Sequence, residues 1–346
     1  MTAHSEAPTP AGQVAASPRT APAPLGPPPP FDPELAAVLD TFPGVEVPSL
    51  EEIPAMRGTV LGNFPVPTLD ELRAGGEFEI EKREVPGPAG DPDITLYLCR
   101  PADATGAIPV LYHTHGGGMI LGDALTGLPQ MLDEWTRDLG IGIVSVEYRL
   151  APEHPDPAPV EDCYAGLVWT AEHAAELGFD PERIIIGGGS AGGGLAAGVA
   201  LAARDRGGPA LLGQLLMCPM LDDRNDTPSA VQMAGTGLWD REANHMGWTA
   251  LLGERRGGPD VSPYAAPARA VDLAGLPPAF VDVGSAETFR DEDVAYASRL
   301  WACGVQTELH VWPGGFHGFD GIAPQAALSQ TARTTRTEWL RRLLGE

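Results

Sequence analysis

Ile184-Ile185-Ile186-Gly187-Gly188-Gly189-Ser190-Ala191-Gly192-Gly193-Gly194 lies near the middle of the chain. A β-branched strand runs into a glycine-packed corner with one serine at its centre, and small residues that can form a helix follow. Gly188–Gly192 fits Gly-x-Ser-x-Gly, a strained strand-to-helix turn that presents a nucleophilic serine oxygen. Glycine at both flanks makes steric sense, because a side chain there would collide across so tight a turn. Five residues also fit a phosphate loop or a plain turn, so the rest of the chain has to decide.

Around this corner the chain alternates. Phe78–Lys82 and Ile94–Leu98 read as half-exposed strands of period two, and Pro109–Tyr112 and Ile141–Val146 as buried ones. A helical spacing over Glu161–Leu177 precedes the strand at Arg183–Ile186, and a helix is expected from Ala191 to Ala203. Gln214–Cys218 is another buried strand. After Pro219 the rhythm breaks: Leu221–Pro259 holds no good strand but a helical stretch from Asp240 to Leu252. It resumes with the strand Ala279–Val283, a helix over Asp291–Cys303, the strand Glu308–Val311 and a final helix ending at Leu344. Strands alternating with helices predict an α/β fold, a mostly parallel sheet covered on both faces.

Composition bounds the partners. The chain has 346 residues and a formal net charge of −25, which disfavours nucleic acid and anionic membrane surfaces. Hydrophobic residues make up 43%, enough for a sizeable core. Cys99, Cys163, Cys218 and Cys303 are scattered, which predicts buried free thiols and no disulfide framework or zinc site. No segment reaches the roughly 18 apolar residues of a membrane span, and the start has no signal-peptide pattern. A cytoplasmic protein is the expectation. Residues 1–30, rich in Ala and Pro, predict a disordered tail.

A serine hydroxyl needs a base to take its proton, an acid to orient that base, and donors for the developing oxyanion. His115-Gly116-Gly117-Gly118 follows a buried strand and supplies free backbone N–H groups. No Gly-Lys-Ser/Thr follows it, so a Walker phosphate loop is excluded. His317 stands between glycines in Gly314-Gly315-Phe316-His317-Gly318, just after the last strand, and is the candidate base. Between serine and histidine, the loop after the penultimate strand offers Glu287, with Asp291 as second choice; Asp291 and Asp293 fit a helix N-terminus better. Asp282 falls inside the strand.

Together these segments resemble the α/β-hydrolase fold, and within it the hormone-sensitive-lipase-like carboxylesterases. His115–Gly118, Tyr148–Pro155, Gly188–Gly193 and Gly315–Phe319 carry the resemblance, in that order, over about 101–319. It implies an eight-stranded, mostly parallel sheet flanked by helices, with a helical cap. Residues 31–75 and 221–259 would form the cap, 76–220 and 260–346 the core. It implies a catalytic Ser190, Glu287 and His317, an oxyanion hole from the N–H groups of Gly116, Gly117 and Ala191, and no metal or organic cofactor. Tyr148–Pro155 would be structural. Trp239, Met246, Trp248 and Leu251 would either face the acyl or alcohol pocket or pack the cap onto the core. The implied reaction is hydrolysis of small to medium acyl esters through an acyl-enzyme; lactonase, amidase or acyltransferase chemistry would use the same residues. A non-catalytic ligand-binding relative would lack the histidine. Relatives often pair through the last strand and helix, so a homodimer is a further expectation. Two positions depart from the family's usual pattern: Gly189 stands where aspartate is common, and Glu287 where the acid is commonly aspartate.

Overall fold

The computed structural model describes residues 24–42, 49–57 and 66–345. The expected tail lies mostly outside the described residues; 24–30 have no helix or strand, and the Gln232 amide donates to the carbonyls of Gly26 and Pro27.

Eight strands form one sheet: β1 (Phe78–Val85), β2 (Ile94–Pro101), β3 (Ile108–Thr114), β4 (Gly142–Glu147), β5 (Phe179–Gly189), β6 (Gly213–Met217), β7 (Ala279–Gly284) and β8 (Thr307–Trp312). Their order is β1-β2-β4-β3-β5-β6-β7-β8. The pairs β1–β2 and β2–β4 are antiparallel and the rest parallel. β1, at the edge, alternates between buried and exposed residues, whereas β7 is buried throughout, as expected for a strand covered on both faces. The pleat explains the isoleucine run. Ile184 and Ile186 join one core with Leu167, Leu195 and Val199, and Ile185 joins the opposite one with Trp135, Trp339 and Leu340.

The longer helices are α1 (Pro33–Leu39), α2 (Ala158–His173), α3 (Ala191–Arg206), α4 (Arg241–Leu252), α5 (Arg290–Ala302) and α6 (Ala327–Leu344). Asp32 caps α1 and Asp240 caps α4, each accepting from two backbone N–H groups of the first turn. α3 runs behind the sheet centre and is built of Gly and Ala because other backbone crowds it. A Cβ on Gly194 would lie 2.1 Å from the Met220 carbonyl oxygen, and one on Gly198 the same distance from that of Tyr264. A helical run over Leu128–Leu139, with a π-turn at Leu132–Thr136, is absent from the strand-helix reading above. Its signal is present in the spacing of Leu128, Met131, Leu132, Trp135 and Leu139, all buried against the sheet. α6 is anchored to the sheet by Arg336, which donates to Asp282 on β7 and to Asp320. Among the described residues, no helix is long and apolar enough to cross a membrane.

Candidate active site

The parallel strands end on one edge of the sheet, and every candidate residue sits on a segment that leaves that edge. β5 turns into α3 at Ser190, which holds φ 58° and ψ −126°. A non-glycine residue in this region is strained. Two contacts fix the turn: Ser190 donates its backbone N–H to Met217 and accepts at its carbonyl from Met220. The flanking glycines are sterically required. A Cβ on Gly188 would come 2.3 Å from the Thr114 carbonyl oxygen, and one on Gly192 2.0 Å from the same atom. Gly189 differs, since its Cβ would meet nothing nearer than 3.8 Å.

The loop after β3 packs on this corner. Gly116 lies against Gly189 and the Ser190 side chain, and Gly117 turns back at φ 118°. Among the described residues, no protein acceptor takes up the N–H groups of Gly116, Gly117 or Ala191. His115 braces the loop, donating from Nδ1 to the Gly116 carbonyl at 2.8 Å. Its ring stacks on Tyr148 at 4.1 Å, and the Tyr148 hydroxyl donates to the His115 carbonyl. Burial pushes His115 down to about 4 and His113 down to about 3, so both are neutral at neutral pH. Next in the chain, Arg149 makes a two-pronged pair with the buried Asp162. Tyr148 and Arg149 thus buttress the loop and its neighbourhood.

His317 follows β8. Its Nε2 lies 2.9 Å from Ser190 Oγ and its Nδ1 2.5 Å from Glu287 Oε1. Glu287, three residues past β7, is buried and accepts from the Gly284 N–H through Oε2 at 3.3 Å. A backbone crossing positions the two loops: a Cβ on Gly284 would lie 2.0 Å from the Gly315 carbonyl oxygen. Phe289 meets the imidazole edge-on at 5.1 Å, and Trp239 lies tilted at 6.4 Å. Asp291 is engaged elsewhere, accepting from the Ser229 N–H and from Arg290. The structure therefore brings together Ser190, His317 and Glu287, sets Gly116, Gly117 and Ala191 around the serine, and leaves Asp291 outside.

The apolar residues of 221–259 divide. Trp239 borders the site: a Cβ on Gly118 would fall 2.4 Å from its ring, and Thr288 donates to its carbonyl. Met246, Trp248 and Leu251 are buried in the main core. Two neighbours had no distinguishing mark in the sequence. Phe289 is one. The other is Cys218, whose Sγ lies within 4.8 Å of ligand atoms of Glu287 and His317. Burial pushes that thiol well above its ordinary range, so it is no rival nucleophile.

Comparison with known proteins places the chain in a family. A family model described as alpha/beta hydrolase fold matches residues 111–321. The carboxylesterase NlhH of Mycobacterium tuberculosis is 38% identical over 306 residues, covering 85% of this chain and 90% of that protein. The esterase LipI of the same organism is 35% identical, covering 86% and 91%. Among solved structures, a bacterial heroin esterase superposes with a TM-score of 0.81 at 41% identity, covering 91% of this chain and 98% of that one. Esterase LipW from Mycobacterium marinum gives 0.79 at 35%, covering 91% and 96%. The chain belongs to the α/β-hydrolase family, among its hormone-sensitive-lipase-like carboxylic ester hydrolases.

Proposed function

We propose that this chain is a serine carboxylesterase that cleaves small to medium acyl esters through an acyl-enzyme. The observation that carries the reading is the imidazole of His317 bridging Ser190 and Glu287. His317 takes the proton from Ser190 Oγ as the oxygen attacks the ester carbonyl, then hands it to the departing alcohol. The same imidazole removes a proton from water for the second attack, which frees the acid and restores Ser190. Glu287 holds Nδ1 protonated and steadies the imidazolium that forms at each attack. The N–H groups of Gly116, Gly117 and Ala191 receive the oxyanion; their lack of protein acceptors supports that role. Neither metal nor organic cofactor enters these steps.

Residues 31–75, of which 43–48 and 58–65 lie outside the described residues, and 221–259 form the cap in this reading, with Trp239 as the wall that limits the ester. Four unpaired cysteines support a cytoplasmic setting. β8 ends the sheet, and exposed Val311 on it supports pairing of two chains along that edge.

Partitioning tests the acyl-enzyme. Two esters that share an acyl group but differ in alcohol are hydrolysed with hydroxylamine present. A common intermediate gives one ratio of hydroxamate to acid for both esters. A ratio that follows the leaving alcohol would overturn the reading.

A further inference from the structure

A cavity of about 550 Å³ opens on the segment between β6 and β7, lined by Arg224, Asn225, Arg241, Glu242, His245 and Arg256. Asp222 already meets Arg224 with a two-pronged pair, which leaves the guanidiniums of Arg241 and Arg256 and the carboxylate of Glu242 in the lining, in a chain whose net charge is −25. Those two guanidiniums are unusual. Apart from Arg241, Arg256 and Arg299, every described arginine has a carboxylate within ion-pair distance. Arg299 is occupied by the carbonyls of Ala268 and Ala270. Arg241 uses only Nε, on the Asn225 carbonyl at 3.2 Å. Arg256 spends one Nη2 hydrogen on His245 Nε2 at 2.8 Å. That bond requires an unprotonated Nε2, so the imidazole is neutral and acts as the acceptor. Burial first, then Arg256 and Arg241, hold His245 below its ordinary range. Both arginines line the same cavity with donors left over, and among the described residues neither has a carboxylate within ion-pair distance.

The wall is rigid. Asn225, buried and at φ 55°, donates to the Arg241 carbonyl and accepts from Asn244. Asn244 in turn accepts from Trp239 Nε1. Arg241 Nε and one Nη2 hydrogen of Arg256 are already held before any ligand arrives, and groups held beforehand lose less freedom on binding.

We propose that this cavity binds a small phosphate-type dianion, free phosphate or the phosphate group of a small metabolite, through Arg241 and Arg256. Planar guanidinium forks match phosphate oxygens two at a time. A nucleic acid or anionic membrane is disfavoured as the source, because the rest of the acidic surface repels it.

Titration calorimetry on the full chain tests this, with inorganic phosphate and with glucose 6-phosphate, against sodium chloride at matched ionic strength. The expected result is saturable one-site binding of a phosphate ligand and none of chloride. Arg256→Gln is expected to weaken that affinity at least about tenfold, the scale of one charge-assisted pair; Arg241→Gln is the independent second variant. Glucose 6-phosphate binding in preference to inorganic phosphate assigns the site to a phosphate ester, and equal binding assigns it to the anion alone. A response equal to that of chloride, or phosphate affinity unchanged in both variants while each unfolds cooperatively, would overturn the proposal. Vesicles containing phosphatidylserine are the remaining arm: binding to them in place of either soluble phosphate would overturn the small-molecule assignment.

Discussion

Glu287 is the residue at which the chain and its family's habit part, and it can be tested against its neighbour. Both Glu287 and Asp291 leave the end of β7, but only Glu287 reaches His317. Glutamine at 287 can donate as well as accept, and it favours the imidazole tautomer that cannot take the serine proton. Glu287→Gln is therefore expected to lower kcat by about 10³- to 10⁴-fold with little change in KM. Asp291→Asn is expected to leave kcat within the same order of magnitude, its cost falling on the Ser229 contact. Steady-state kinetics on the two variants decides, and the larger loss at Asp291 would move the acid there. Glutamate is one methylene longer than aspartate, and here its carboxylate is buried and reaches the imidazole from three residues past the strand. The glycine before the serine is the other departure. Nothing crowds a Cβ at 189, so the backbone does not dictate glycine there as it does at 188 and 192.

At the scale of elements, α5 begins with an electrostatic conflict. Asp291, Glu292 and Asp293 occupy its first turn, where carboxylates suit the helix dipole. Glu292 uses that position, accepting at Oε1 from the N–H groups of Leu221 and Asp222 and so tying the segment after β6 to the helix. Asp293 is fully buried, and among the described residues neither of its oxygens has a hydrogen-bond partner. Burial first, then Glu292, Glu287 and Asp282, pushes its carboxyl well above the usual range. The folded protein thus holds a proton there that the unfolded chain releases from about pH 4 upward. Stability contributed by that proton is present below the unfolded pKa and is lost as pH rises toward the folded one. Asp293→Asn keeps the shape and removes the titration. It is expected to match the parent near pH 4 and to exceed it by about 1–3 kcal/mol at alkaline pH, read by urea unfolding at pH 4 and pH 8. An equal difference at both pH values would show that Asp293 is ionised or solvated throughout.

At the scale of the molecule, the sheet was largely legible because its strands are buried on both faces and read as apolar runs. The three isoleucines before Ser190 serve both cores, and that double burial makes them legible as a strand. Ser190 and His317 stand out as candidates because glycines mark the turns that carry them, and the structure sets them 2.9 Å apart. Glu287 was legible only by its place in the chain, since nothing local distinguishes it from Asp291. Trp239 was harder: the apolar residues of 221–259 look alike in sequence, and only tertiary packing sends Trp248 into the core and Trp239 to the rim of the site. The cavity with Arg241 and Arg256 was not legible at all. An unpaired arginine is defined by what fails to approach it, which local sequence does not encode. The central claim is that one serine, activated by one histidine, carries the chemistry. Stoichiometric labelling with a fluorophosphonate, located by peptide mass spectrometry, tests it most directly. The expected result is one label per chain, on Ser190, lost together with ester hydrolysis in Ser190→Ala and strongly slowed in His317→Ala. Label on another residue, or ester hydrolysis persisting in pure Ser190→Ala protein, would contradict it.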